Sequence, residues 1–123
     1  MINVAVFEDN THLRESFYLL LQETEGLQCV GAFSNANDAV NVLKDLDCHV
    51  ILMNIAMPGM DGATATQLIK ASFPDINILI QSIFDDDEYI FQAICNGASG
   101  YLLKNAEPET YLKAIQDVYD GGL

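Results

Sequence analysis

Five polar side chains sit at the ends of short apolar runs, and together they could handle a phosphoryl group. Glu8 and Asp9 follow Ile2 to Phe7, Asn54 closes His49 to Met53, Ser82 comes just after Ile76 to Ile80, and Lys104 follows Ala98 to Leu103. Clustered carboxylates with a backbone carbonyl and waters make an oxygen site for Mg²⁺, a hard cation that favours octahedral geometry. An aspartate beside such a metal can attack a phosphoryl group and become an aspartyl phosphate. A hydroxyl and an ammonium then hold the phosphoryl oxygens. Positioning and charge neutralisation dominate this transfer, so a small open site suffices. Position 54, where that aspartate belongs, carries an amide. An amide oxygen can ligate Mg²⁺, but amide nitrogen is a poor nucleophile, so the machinery is present without its nucleophile.

Taken singly, each residue has an ordinary explanation. Glu8 would serve as a cap or a dipole partner for the following helix, Ser82 as a turn residue and Lys104 as a surface lysine. His12 has no partner at metal-ligand spacing and reads as a solvated histidine, and the acidic run Asp85-Asp86-Asp87-Glu88 reads as a solvated helix start. Only the joint placement at the ends of separate apolar runs raises the set above these readings.

The elements that must carry these residues alternate between two periods. Ile2 to Phe7 is a strand-like run, and Leu13, Phe17, Leu20 and Leu21 then recur at helical spacing. Leu27 to Phe33 predicts a second strand. Ala36, Ala39, Val40 and Leu43 predict a second helix capped by Ser34 or Asn35. His49 to Met53 is apolar on both faces, as a central parallel strand covered by helices should be. Ala65, Leu68 and Ile69 predict the inward face of a third helix after Gly62, and Pro74-Asp75 marks a turn before a fourth strand, Ile76 to Ile80. Asp85 with Glu88 resembles a capping box for a fourth helix that Gly97 can end. Ala98 to Leu103 is the fifth strand. Pro108 fits the first turn of a last helix with Leu112, Ile115 and Val118 or Tyr119 inward. Five strands alternating with five helices imply right-handed crossovers and a doubly wound α/β sheet. Ligands bind such sheets at the carboxyl ends of the strands, where all five polar residues fall.

Length and charge narrow the function. The 123 residues are half hydrophobic and predict one domain with one sizeable core. A net charge of −13 disfavours contact with nucleic acid or anionic membranes, so any DNA contact must come from another chain or a missing domain. Cys29, Cys48 and Cys95 are widely spaced and odd in number, which predicts buried reduced thiols and neither a disulfide framework nor a zinc site. No apolar stretch reaches the ~20 residues of a membrane span. Met1 leads straight into the first strand, so a cytoplasmic protein without a cleaved signal is expected.

At these residues the chain resembles the receiver domain of bacterial two-component response regulators. The resemblance runs from Ile2-Asn3-Val4-Ala5-Val6-Phe7-Glu8-Asp9 through Met57-Pro58-Gly59-Met60-Asp61-Gly62 to Gly97-Ala98-Ser99-Gly100-Tyr101-Leu102-Leu103-Lys104. It implies a flavodoxin-like (βα)5 fold with strand order 2-1-3-4-5 and a single receiver domain over residues 1–123. By resemblance, Glu8, Asp9, Asn54 and the Ala56 carbonyl would surround Mg²⁺, and Asn54 occupies the phosphoacceptor position. Ser82 would be the switch hydroxyl, Tyr101 the aromatic that turns inward on activation, and Lys104 the phosphate-binding lysine. Gly-Tyr-Leu-Leu-Lys followed by Asn105 is similar to the subclass joined to a LuxR-type helix-turn-helix. In that subclass Gly121-Gly122-Leu123 would open the linker to a DNA-binding domain outside this chain.

Asn54 departs from that pattern, so phosphorylation should fail and Mg²⁺ binding should weaken. Two histories fit: a natural pseudo-receiver, or an Asp-to-Asn block of an active receiver. The second is preferred because Glu8, Asp9, Ser82 and Lys104 all remain. The expected partner is a sensor histidine kinase. Self-association is left open, because no helix stripe is apolar enough on its outer face to name an interface. A second hypothesis is a phosphate-independent protein-protein module. Enzyme readings fare worse: a flavodoxin needs a small, hydroxyl-rich phosphate loop where Glu8-Asp9-Asn10 stands. Haloacid-dehalogenase-like phosphatases need Asp-x-Asp after the first strand, where this chain has Glu8-Asp9.

Overall fold

The computed structural model of the chain describes residues 1–82 and 87–121. Ten elements alternate along it: β1 (Ile2–Phe7), α1 (Thr11–Glu23), β2 (Leu27–Phe33), α2 (Ala39–Leu43), β3 (Val50–Asn54), α3 (Gly62–Ser72), β4 (Asn77–Ser82), α4 (Asp87–Cys95), β5 (Gly100–Leu103) and α5 (Pro108–Tyr119). The five strands form one parallel sheet in the order β2-β1-β3-β4-β5. β1 and β3 are buried along their whole length, which is why they read as unbroken apolar runs.

Alternate residues of the same strands feed two separate cores. Ala5, Phe7, Ile51, Met53, Ile78 and Ile80 face α2, α3 and α4, where Leu43, Ile69 and Ala93 meet them. Val4, Val6, Val50, Leu52 and Leu79 face α1 and α5, against Phe17, Leu21, Tyr111, Ile115 and Val118. The two-residue period of a strand thus builds both layers.

Several expectations shift. β3 runs one residue later than His49 to Met53, so Asn54 is its last residue. His49 lies outside the strand, its Nδ1 accepting from the Asn3 backbone N–H at 2.9 Å. β4 extends through Ser82 and β5 shortens to four residues. α2 begins only at Ala39, without the cap expected from Ser34 or Asn35, because the Asn35 side chain instead accepts from the Asn37 N–H at 3.0 Å in a local turn. α1 and α3 are capped by Asn10 and Asp61, which accept from Leu13 and Thr64.

Leu68, expected inward on α3, is exposed, while Ala63 and Thr66 are buried with Ala65 and Ile69. On α5 the buried stripe is Tyr111, Ile115 and Val118; Tyr119 is exposed and sits edge-on to His49. Of the cysteines only Cys48 is buried, Cys29 is half-buried and Cys95 is exposed. Burial pushes the Cys48 thiol up to about 12. Gly97 follows α4 in the left-handed region, φ 110°, as a helix-ending glycine should. Asp85 and Asp86, read as part of a helix start, and Gly122 and Leu123, read as linker, lie outside the described residues. Phe91 and Ile94 on α4 and Tyr101 and Leu103 on β5 are exposed large apolar side chains.

Candidate functional site

Glu8 is the first residue beyond β1 and is fully buried. Its backbone N–H donates to the Phe33 carbonyl at 2.9 Å, continuing the β1–β2 pairing by one bond, and Arg14 Nη1 donates to its carbonyl at 2.8 Å. A buried carboxylate persists only where donors replace its lost water. Oε1 accepts from Lys104 Nζ at 2.7 Å and from Gln81 Nε2 at 3.3 Å. Oε2 accepts from the Asn10 N–H at 3.0 Å and from Asn54 Nδ2 at 3.1 Å. Asp9, beside it and exposed, accepts from Asn54 Nδ2 through Oδ1 at 2.8 Å. Partial burial pushes the Asp9 carboxyl up. Hydrogen bonding with Glu8, its own backbone and Asn54, together with the charge of Lys104, outweighs this and leaves Asp9 below the usual carboxylate range.

Asn54 ends β3 opposite Gln81 and is nearly fully buried. Its nitrogen faces three oxygens: Glu8 Oε2, Asp9 Oδ1 and, at 3.0 Å, the Ala56 carbonyl. Its oxygen accepts from the Ala56 N–H at 3.3 Å. The chain can turn here because Gly62 has no side chain. A Cβ on Gly62 would strike the Asn54 carbonyl oxygen and lie 2.8 Å from the Ile55 Cα. The Gly62 N–H closes the loop by donating to the Ile55 carbonyl at 2.9 Å.

Ser82 is buried at the end of β4, and its carbonyl accepts from the Lys104 N–H at 2.8 Å. That bond carries the β4–β5 pairing one residue beyond Leu103 and sets Lys104 over the edge, where its ammonium reaches Glu8. The structure therefore brings Glu8, Asp9, Asn54, the Ala56 carbonyl and Lys104 into one hydrogen-bonded cluster, with Ser82 at the neighbouring strand end. Tyr101 stands apart, exposed on β5.

Two members were absent from the sequence reading. Gln81 is fully buried and bridges Glu8 to the Tyr111 hydroxyl, which donates to Gln81 Oε1 at 3.2 Å and lies 3.3 Å from the Leu103 carbonyl. Burial and the nearby Glu8 charge push the Tyr111 phenol up to about 12. The available signal was a glutamine between Ile80 and Ser82, where β4 could still be continuing.

The response regulator receiver domain family matches residues 4–116. The chain belongs to that family. It is 36% identical over 123 residues to the transcriptional regulatory protein LnrK of Bacillus subtilis, covering 100% of this chain and 56% of that protein. It is 35% identical over 121 residues to the oxygen regulatory protein NreC of Staphylococcus haemolyticus, covering 98% of this chain and 56% of that protein. The chain thus spans about half the length of these curated relatives. Among solved structures, the signal receiver domain of the response regulator NarL from Mycobacterium tuberculosis superposes with a TM-score of 0.91 at 28% identity, covering 98% of this chain and 97% of that one. The isolated receiver domain of RcsB from Salmonella enterica serovar Typhimurium, solved with the phosphomimetic BeF3⁻, gives 0.87 at 26%, covering 98% and 90%.

Receiver domains are signalling modules that take Mg²⁺ at an acidic pocket. In this receiver two carboxylates and a carbonyl converge with chemistry that suits a hard cation. The fourth group, the Asn54 nitrogen, has no lone pair to offer one. Among the described residues no group of three or more His, Cys, Asp or Glu side chains is arranged to hold a metal.

Proposed function

We propose that this receiver is the input domain of a two-component response regulator in which the phosphoacceptor position is filled by Asn54, so that it holds the unphosphorylated state. The observation that supports this reading is the Asn54 amide at the centre of an otherwise complete site. Glu8, Asp9 and Lys104 surround it, and Ser82 ends the next strand. In such a site Glu8, Asp9 and the Ala56 carbonyl would hold Mg²⁺, and with an amide at position 54 instead of a carboxylate, binding is weaker than with aspartate. The metal supplies charge neutralisation for the transferred phosphoryl group. Ser82 and Lys104 would hold phosphoryl oxygens, and Tyr101 would move inward toward Ser82. The Lys104 ammonium lies 2.7 Å from Glu8 Oε1.

The partner chemistry follows from the same reading. A sensor histidine kinase is the donor, DNA is reached only through a C-terminal effector domain outside this chain, and the setting is the cytoplasm. No helix of the described residues is long and apolar enough to cross a membrane. The exposed apolar side chains of α4 and β5 offer a surface for self-association. Acetyl phosphate or a kinase, read by phosphate-affinity gel shift and intact mass, tests the proposal. The Asn54 protein stays unmodified and the Asn54→Asp variant gains one phosphoryl group; a phosphoryl adduct on the Asn54 protein overturns it.

A second reading, a phosphate-independent interaction module, draws on one observation. Among the described residues no buried side-chain nitrogen or oxygen lacks a hydrogen-bond partner, so the pocket is satisfied without phosphate or metal. The variant separates the two readings: an Asn54→Asp protein that also refuses phosphate favours the module.

A further inference from the structure

The atom at the centre of the acidic pocket is a nitrogen, and its three neighbours are the oxygens that a cation would use. Asn54 Nδ2 lies 2.8 Å from Asp9 Oδ1, 3.0 Å from the Ala56 carbonyl and 3.1 Å from Glu8 Oε2. An amide nitrogen carries two hydrogens, so these three acceptors share two donors. Both hydrogens bear partial positive charge and lie on the side of these three oxygens, two of them carboxylate oxygens, which is the electrostatic task of a metal in such a site. On the far side of the amide, the Ala56 N–H donates to Oδ1 at 3.3 Å. Turning the carboxamide by half a rotation would set Oδ1 against two carboxylate oxygens and Nδ2 against a backbone donor. The neighbours therefore fix the orientation.

We propose that the Asn54 carboxamide nitrogen stands in for the divalent cation, so that Asn54 is a competitor of Mg²⁺ in this receiver and not a ligand waiting for it. Mg²⁺ binds oxygens at ~2.0–2.1 Å and has no affinity for an N–H donor, so it enters only after the amide has turned away and given up its hydrogen bonds. The inference rests on the reading of this cluster as the receiver's metal pocket, and it reverses the sign of one measurable effect. If Asn54 served mainly through its oxygen, removing the side chain would weaken Mg²⁺ binding. If the nitrogen competes, removing the side chain strengthens it, because water can take the vacated ligand position without a prior loss of hydrogen bonds.

The experiment titrates Mg²⁺ into three proteins, the Asn54 receiver, Asn54→Ala and Asn54→Asp, and follows amide chemical shifts around Glu8, Asp9 and Ala56. Affinity should rise in the order Asn54, Asn54→Ala, Asn54→Asp. The first step is on the order of tenfold, the equivalent of one charge-assisted hydrogen bond no longer surrendered. Equal or weaker binding by Asn54→Ala overturns the inference. If Asn54→Ala does not fold, the side-chain amide protons of Asn54 in the unaltered protein decide. They should be slow to exchange without metal and should lose that protection and shift at saturating Mg²⁺; rapid exchange without metal, or unchanged signals on binding, overturns the inference. An Asn54→Asp protein that binds no Mg²⁺ removes the pocket reading itself. Tight binding by Asn54→Asp combined with weak binding by Asn54→Ala removes only the competitor.

Discussion

Replacing Asn54 by aspartate should destabilise the metal-free receiver by about 2–4 kcal/mol at pH 7, and the size of the effect can be worked from the pocket. The change exchanges a donor for an acceptor at a point 2.8 Å from Asp9 Oδ1 and 3.1 Å from Glu8 Oε2. Two carboxylates whose charges are ~4 Å apart repel by about 4 kcal/mol at an effective dielectric near 20, and the new group faces two of them. Lys104, 2.7 Å from the other oxygen of Glu8, opposes part of this. Proton uptake sets a ceiling on the charge term. Protonating a carboxyl of ordinary pKa ~3.9 at pH 7 costs about 4 kcal/mol at 1.36 kcal/mol per unit, and no larger repulsion survives. The protonated form restores one donor of the two that the amide supplied. The introduced carboxyl has a folded pKa raised above its unfolded value, so its destabilisation is greatest at high pH and fades as pH falls. At pH 5 the ceiling drops to about 1.5 kcal/mol. Urea melts of both proteins with EDTA at pH 7 and pH 5, and with millimolar Mg²⁺ at pH 7, supply the comparison. Mg²⁺ should narrow or reverse the gap, because a ligand stabilises the form it binds more tightly. Equal midpoints without metal, or a gap that does not shrink at pH 5, would refute the placement of position 54 between Glu8 and Asp9.

The bridge from Glu8 through Gln81 to Tyr111 makes three further outcomes measurable. Tyr111→Phe leaves Gln81 Oε1 buried without its phenol donor and should cost about 1–2 kcal/mol, whereas adding Gln81→Leu should cost less than the two single changes summed. An additive double-mutant cycle in urea would count against the bridge. The Tyr111 phenol should ionise near 12, seen by tyrosinate absorbance and lost in Tyr111→Phe. Because its folded value is raised, its contribution is fully present below the unfolded value of ~10 and disappears as pH rises toward 12. Lys104→Met should destabilise by about 3 kcal/mol or more at pH 7, since it removes the cation at 2.7 Å and leaves Glu8 buried with neutral donors alone. A change below 1 kcal/mol in chemical melts would refute the role given to this ion pair in holding the buried carboxylate.

The fold was legible where burial leaves a simple pattern and obscure where polar atoms are satisfied inside. β1 and β3 are covered on both faces, so their apolar runs stand out whatever the neighbours do. α3 shows the opposite case. Hydropathy favoured Leu68 as an inward residue, but Thr66 is the one buried, and its hydroxyl donates to the Gly62 carbonyl at 2.8 Å, so the polar atom carries no penalty. Tyr111 escaped for the same reason. It lies on the same stripe as Ile115 and Val118 at i+4 and i+7, yet the apolar-only criterion took Leu112, which is partly buried against the same core, and passed over Tyr111, because a phenol counts as inward only when a partner such as Gln81 is known. α2 failed on local chemistry, since the asparagine read as a cap closes a turn two residues on.

The site was legible as a set of positions because topology alone brings strand ends to one edge, and Glu8, Asp9, Asn54 and Lys104 do meet there. What spacing cannot convey is which end of an amide faces inward. An asparagine offers an oxygen and a nitrogen of nearly the same shape, and the choice depends on the charges around it. Here two carboxylates lie on one side and a backbone N–H on the other, so the nitrogen turns toward the carboxylates. On the proposed reading this orientation has two consequences: position 54 offers no carboxylate nucleophile, and the carboxylates that a cation would quiet are quieted by hydrogen bonds from the protein itself. On that reading an aspartate at the same position would have neither property, so the group at position 54 would set both the phosphate chemistry and the metal dependence of the receiver.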